Sequence, residues 1–222
     1  MPGTATGRVA IAPNVLLEGR LALFHETERW LAVADLHFGY ELSQRAAGRL
    51  MPLWGMTSIE ARLTGLLDEY RPCQLIIVGD LVHDQASSAA AAELLARLGA
   101  RCQVIALAGN HDRHIAQMIE FIPRWETPEF VFEHGHTETE EETGRIKIIG
   151  HHHPAVSIRD GAGLHLKFPA LIEQEKRWIL PAFSPWAAGV IWPEDAQSRI
   201  WLCTPQRVLR VDPNRAAVLG VR

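Results

Sequence analysis

Seven residues along the chain combine types and spacings that suit metal chemistry: Asp35, His37, Asp80, Asn110, His134, His151 and His153. Asp35 and His37 are two residues apart, as are His134 and His136, and His151 and His153. On an extended strand end that spacing puts both side chains on the same side. Asp80 and Asn110 each follow a glycine, which lets the backbone turn sharply and present the next side chain outward. The donor set is carboxylates, one amide carbonyl and imidazoles, with no thiolate. Such mixed nitrogen and oxygen sets suit Mn, Fe, Zn or related ions better than soft-metal or iron–sulfur chemistry. Seven candidates exceed the needs of one tetrahedral ion, whereas two ions sharing a bridging carboxylate would use them all. Two ions about 3.5–4 Å apart can clamp a phosphoryl group, activate a hydroxide between them and stabilise a leaving oxygen.

Short apolar runs must position these residues. Trp30–Ala34 ends at Asp35, Leu75–Val78 at Gly79-Asp80 and Val104–Ala108 at Gly109-Asn110. Phe130–Phe132 leads to His134, and Ile146–Ile149 to Gly150-His151. The runs read as buried strands. In layered α/β folds, the C-terminal edge of the strands is where ligands and chemistry sit. Ser58–Tyr70 carries helical periodicity through Ile59, Leu63, Leu66 and Leu67 and stops before Pro72. Ser87–Leu98 is an Ala/Leu-rich helix closed by Gly99, and Ile115–Phe121 reads as a short helix before Pro123. The first thirty residues read as loop-rich, with Leu21–Phe24 as an edge strand, and Gly39 to Thr57 as a polar, mobile stretch. Beyond residue 160 only strand-like segments follow: Leu164–Phe168, Arg177–Leu180, Arg199–Leu202 and Arg207–Val211. An alternating first half and an all-strand second half predict an α/β protein of two packed sheets. The 222 residues fit one domain, with the part from about 160 completing the second sheet.

Bulk composition narrows little further. A formal charge of −4 gives no global basic signature, which leaves a locally basic groove for a nucleic acid open. No run of 18 apolar residues predicts a membrane helix, and no charged and apolar leader predicts export, so a cytoplasmic protein is expected. Cys73, Cys102 and Cys203 lack metal spacing and read as reduced, mostly buried small hydrophobes. The acidic run at 138–142 reads as a solvated turn.

Read in order, D-L-H (35–37), G-D-L-V-H-D (79–84), G-N-H-D (109–112), H-G-H (134–136) and G-H-H-H-P (150–154) resemble the calcineurin-like metallophosphoesterase superfamily. That resemblance implies two mixed β-sheets flanked by helices as a four-layer sandwich. It implies that Asp35, His37 and His153 hold one divalent ion, Asn110, His134 and His151 a second, and that Asp80 bridges them. His111 would face the phosphate and stabilise or protonate the leaving oxygen, Asp112 would orient His111, and a metal-bridging hydroxide would attack phosphorus in line. D-L-H-F-G-Y-E, G-H-H-H-P-A-V and the later L-P-A-F (180–183) resemble the SbcD-related, ligase-associated PdeM-like phosphoesterases. This closer likeness implies a phosphodiesterase with manganese (Fe, Zn, Ni or Co being alternatives), acting on DNA as a repair nuclease. A functional link to a DNA ligase and a helicase comes with it, and single-stranded DNA is one expected substrate.

Other residues carry weaker expectations. His83, three residues past Asp80, could contact substrate or pack as an ordinary histidine, and His136 could exchange roles with His134. His152 lies between two candidate ligands and should point away from them. Arg45, Arg49 and Arg113 could meet phosphates, although loop arginines are more often solvated. Trp54, Trp125 and Trp186 could stack on bases or simply pack. A phosphomonoesterase or pyrophosphohydrolase of small molecules fits the same metal core, because loops choose the substrate. An inactive scaffold of this fold predicts missing ligands, whereas all seven and His111 are present.

Overall fold

The computed structural model places residues 7–137, 144–159, 164–193, 195 and 197–211 in two mixed sheets with flanking helices. The acidic run at 138–142 lies outside these described residues. The first sheet has six strands in chain order: β1 (Arg8–Ala12), β2 (Val15–Glu18), β3 (Ala22–His25), β4 (Trp30–Ala34), β5 (Gln74–Val78) and β6 (Gln103–Ala106). β1 to β4 form an antiparallel meander, and β4, β5 and β6 run parallel. Every residue of β4 is buried, as expected of a parallel strand covered on both faces.

Three helices connect and cover this sheet: α1 (Tyr40–Ala46), α2 (Gly55–Tyr70) and α3 (Ser88–Gly99). α2 buries Ile59, Leu63, Leu66, Leu67 and Tyr70, one stripe at helical spacing. It ends at Arg71, whose left-handed backbone (φ 45°) turns its N–H back to the carbonyl of Leu67. All described helices lie before Ile115.

The second sheet is built from β7 (Arg124–Glu126), β8 (Phe130–Glu133), β9 (Ile146–Ile149), β10 (Pro154–Arg159), β11 (His165–Glu173), β12 (Arg177–Ile179), β13 (Val190–Ile191), β14 (Arg199–Thr204) and β15 (Arg207–Val211). Its order is β13-β10-β11-β12-β9-β8-β7, with β14 on β11 and β15 on β14. Nine-residue β11 serves three neighbours: its first half pairs with β10, its second with β12 and β14. The two sheets share one core. The Trp30 ring of β4 meets Phe130 and Phe132 of β8 edge-on at 5.4 and 5.1 Å, a favoured aromatic geometry.

Several expectations need correction. The described part of the first thirty residues, from 7 on, holds three strands rather than loop, and the segment read as an edge strand is interior, between β2 and β4. α1 occupies part of the stretch read as mobile, entered through Gly39 at φ 79°. No α-helix forms over Ile115–Phe121; a 3-10 turn at Asp112–His114 is followed by turns. Only Ile115 in that segment is fully buried, so it lacks the apolar stripe that packing a helix requires. Cys73 is exposed and Cys102 half-buried, so of the three cysteines only Cys203 behaves as a core residue.

Candidate metal centre

Five strand ends converge here. β4 delivers Asp35 and His37, β5 delivers Asp80, β6 leads to Asn110, β8 to His134, and β9 to His151 and His153. The loops after them are cross-linked by backbone bonds: His37 N–H to Asp80 C=O (2.9 Å), Gly150 N–H to His134 C=O (3.1 Å) and Ser184 N–H to Asp35 C=O (3.1 Å). Asp35, His37, Asp80, His151 and His153 all have positive φ, between 43° and 66°. For residues carrying a Cβ this conformation is costly and is held only where surrounding structure imposes it. The extended-strand argument for Asp35/His37 and His151/His153 therefore had the wrong backbone, although both pairs do converge.

The glycines also act differently from expectation. Gly79 has a positive φ of 73°, but Gly109 and Gly150 do not. What all three supply is room. A Cβ on Gly79 would lie 2.0 Å from His134 Nδ1, one on Gly109 2.1 Å from Asp80 Oδ1, and one on Gly150 2.7 Å from Asp35 Oδ2.

The side chains form two groups on either side of Asp35 and Asp80. Asp35, His37 and His153 can present ligand atoms within 4.8 Å of one another, and so can Asp80, His134 and His151. His37 Nε2 lies 3.3 Å from His153 Nε2 and 4.0 Å from Asp80 Oδ2, and His153 Nε2 lies 3.7 Å from Asp35 Oδ2. His134 Nε2 lies 3.1 Å from Asn110 Oδ1 and 3.4 Å from Asp80 Oδ2. Two ligands each about 2.1 Å from one ion, at right or tetrahedral angles, are themselves roughly 3.0–3.4 Å apart. The spacing fits ions.

Electrostatics and satisfaction agree. Burial pushes the His37 imidazole down to about 3 and that of His151, beside His134, to about 4. Both are thus neutral near pH 7, the state in which imidazole binds metal. Burial pushes the Asp80 carboxyl up, but the hydrogen bond and charge of His134 outweigh it and hold Asp80 at about 2. Asp35 is fully buried, and that burial raises its carboxyl above the ordinary range. Its Oδ2 accepts the His151 N–H at 2.9 Å, while its Oδ1 and His37 Nδ1 lack any hydrogen-bond partner. A buried carboxylate with an orphaned oxygen is expensive unless a cation faces it.

His111, His83 and His37 make a third cluster. The His111 Nδ1 faces the His83 carbonyl oxygen at 2.9 Å, and the two rings stack at 5.1 Å. A carbonyl only accepts, so Nδ1 carries a proton and Nε2 is the ring's remaining functional atom. Asp112 does not hold this ring. Its carboxylate accepts N–H bonds from Val82 (3.1 Å) and Gly109 (2.9 Å), tying together the loops after β5 and β6. Asp112 thereby fastens the loop that carries His111 to the loop after β5, and burial raises its carboxyl to about 6.

The remaining histidines sort by geometry. His136 is exposed, 5.2 Å ring to ring from His134, and outside both carboxylate groups. His152 turns away toward Trp192, as the spacing argument requires. Arg113, Arg45 and Arg49 are exposed. Trp125 packs against the core, while Trp54 and Trp186 meet near the site at 4.6 Å. Sequence reading missed Tyr40, whose ring edges onto His83 at 4.7 Å, and Glu41, fully buried beneath Trp186. Both lie in the D-L-H-F-G-Y-E run that carries the closer resemblance, which assigns neither of them a role.

The profile of the calcineurin-like phosphoesterase family matches residues 29–179, which contain every ligand candidate. The chain belongs to this family. It is accordingly a metal-dependent phosphoesterase, a hydrolase that uses divalent ions. Among solved structures, a Pseudomonas putida protein described as nuclease MPE is similar at 26% identity and TM-score 0.72, over 92% of this chain and 98% of that one. YfcE, a phosphoesterase from E. coli, matches at 16% identity and TM-score 0.47, over 82% of this chain and 97% of that one. No curated protein sequence matches. The chain carries its candidate donors on loops that follow strands of both sheets, and no described helix is long and apolar enough to cross a membrane.

Proposed function

We propose that this phosphoesterase cleaves phosphodiesters, with DNA as the substrate, and that two manganese ions occupy the centre. The observation that carries the reading is the pair of carboxylate–histidine groups meeting at Asp80, with His111 beside them but bonded to backbone. Asp35, His37 and His153 would hold one ion, Asn110, His134 and His151 the other, with Asp80 between. When bound, such ions supply positive charge that polarises the phosphoryl group and lowers the pKa of water. His111 Nε2 then holds or receives a proton at the leaving oxygen, and the His83 carbonyl fixes its direction. His83 and His136 flank the phosphate, with exposed Arg113 as a further contact. The diester and DNA preference is supported by the likeness to a protein described as a nuclease. A cytoplasmic repair role beside a DNA ligase and a helicase belongs to the same reading.

The test is hydrolysis, with added manganese, of a nitrophenyl diester, a nitrophenyl monoester and single-stranded DNA. Turnover of both diesters supports the reading, and turnover of the monoester alone defeats it. Asn110→Ala and His111→Ala should abolish turnover with the fold retained; full activity in both would refute the assigned site.

A further inference from the structure

A continuous line of rings leads from the surface into the metal centre. Trp54, just before α2, is 48% exposed and lies 4.6 Å from Trp186, the ring planes tilted by 41°. Trp186 lies 6.3 Å from Tyr40, Tyr40 meets His83 at 4.7 Å, and His83 stacks on His111. His111 in turn stands edge-on to His37 at 5.2 Å. No gap between successive rings is wider than ordinary aromatic contact.

The Trp186 indole is held in place by a buried carboxylate that also caps the start of α2. Its Nε1–H donates to Glu41 Oε2 at 3.1 Å, and the other oxygen of this fully buried carboxylate accepts the Met56 N–H at 2.7 Å. Gly55 leaves the space: a Cβ there would lie 2.1 Å from Trp186 Nε1 and 2.9 Å from the Glu41 carboxylate. Yet the outer end of the line is bare. Leu50 and Leu53, which precede Trp54 in the chain, are 99% and 44% exposed, so this segment turns several apolar side chains to water. Packing accounts for a buried indole but not for this exposed end.

We propose that Trp54, Trp186 and Tyr40 form a nucleobase-binding wall that receives the base attached to the scissile phosphate and selects nucleoside esters over other diesters. This rests on the phosphodiesterase reading above. Every base offers a flat face, so such a wall recognises the presence of a base and not its identity. Continuity fixes the occupant. A planar group on Trp186 and Tyr40 is one ring away from His83 and His111, so its phosphate reaches the metal centre.

The experiment compares two substrates with the same leaving group, thymidine 5′-(4-nitrophenyl phosphate) and methyl 4-nitrophenyl phosphate, in the manganese-loaded full chain. Trp54→Ala changes an exposed residue and should lower kcat/KM for the thymidine ester by roughly 5- to 150-fold, the range for loss of one base–aromatic stack. The methyl ester should be unaffected. Trp186→Phe keeps a ring and should retain most of the preference, whereas Trp186→Ala should lose it. An unchanged ratio of the two esters in Trp54→Ala and Trp186→Ala overturns the wall and leaves the diesterase reading intact. Should wild type hydrolyse neither ester, the diesterase reading fails instead. Quenching of tryptophan fluorescence by oligothymidylate in chelator then decides the wall: loss of quenching in Trp54→Ala supports it, and equal quenching overturns it.

Discussion

Replacing Gly79 by alanine tests whether His134 is seated where the site needs it, and Gly48 supplies the control. Both glycines have left-handed backbones, at φ 73° and 79°. A Cβ at Gly48 meets nothing within 4 Å, whereas at Gly79 it would lie 2.0, 2.4 and 2.7 Å from three atoms of the His134 side chain. The backbone penalty for alanine in this conformation is about 1–2 kcal/mol. The less flexible unfolded chain returns about 0.4–1 kcal/mol of it. Gly48→Ala should therefore destabilise by no more than about 1.6 kcal/mol. Gly79→Ala adds an overpacked contact with a buried ring, about 1–3 kcal/mol, for a total of roughly 1–4.6 kcal/mol. That is a large part of the roughly 5–15 kcal/mol that stabilises a typical domain. Urea unfolding of both variants in chelator measures the difference directly. Because the ring would be displaced from its 3.4 Å approach to Asp80, Gly79→Ala should also bind manganese more weakly, read by calorimetry, and Gly48→Ala should not. Equal stability and equal metal affinity in the two variants would falsify the placement of His134.

Further outcomes follow from other sites. Glu18 is buried, and although burial pushes its carboxyl up, Arg20 and Tyr70 outweigh this and hold it below the ordinary carboxylate range. Its contribution to stability is thus complete above the ordinary carboxylate pKa and fades as pH falls through the lowered folded value. Glu18→Gln should flatten that acid limb in thermal melts across pH 2–6 (about two units either side of an ordinary carboxylate). Native protein should lose Cys73 to a thiol reagent at once, while Cys203, buried with its thiol pushed to about 12, reacts only on unfolding; mass spectrometry after timed labelling distinguishes them. Asp112→Ala should leave the Val82 and Gly109 N–H groups unpaired, destabilising by about 1–3 kcal/mol in urea titration and lowering turnover through misplacement of His111.

Residue types and order along the chain went far toward the centre, because ligand chemistry is written in side-chain identity. Local backbone was less readable. Positive φ at Asp35, His37 and Asp80 is imposed by bonds to loops far away in sequence, such as His37 N–H to the Asp80 carbonyl, and no propensity encodes it. Gly109 is read as a turn former, yet its work, like that of Gly150, is to make room, for Asp80 and Asp35 respectively. That depends on which loop faces them, a tertiary fact. β1 and β2 were overlooked for a related reason: Val9 to Leu17 is broken at Pro13-Asn14, and the pairing partner is an adjacent hairpin strand rather than a long apolar run. The long periodic helices α2 and α3, by contrast, declare themselves through one apolar face.

The backbone bonds that tie Asp35, Asp80, His134 and Ser184 together make the centre the seam where the two sheets are sewn. Its donors come from positions 35 through 153, so it cannot exist in any fragment shorter than that span. Ion binding then rewards only the finished fold, adding RT ln(1 + [L]/Kd) to its stability by mass action. Metal supply thereby becomes a folding chaperone of sorts. A chain weakened by a mutation far from the centre should be rescued in vivo by abundant ion and exposed by its scarcity, so that the same substitution is silent in one medium and lethal to the protein in another.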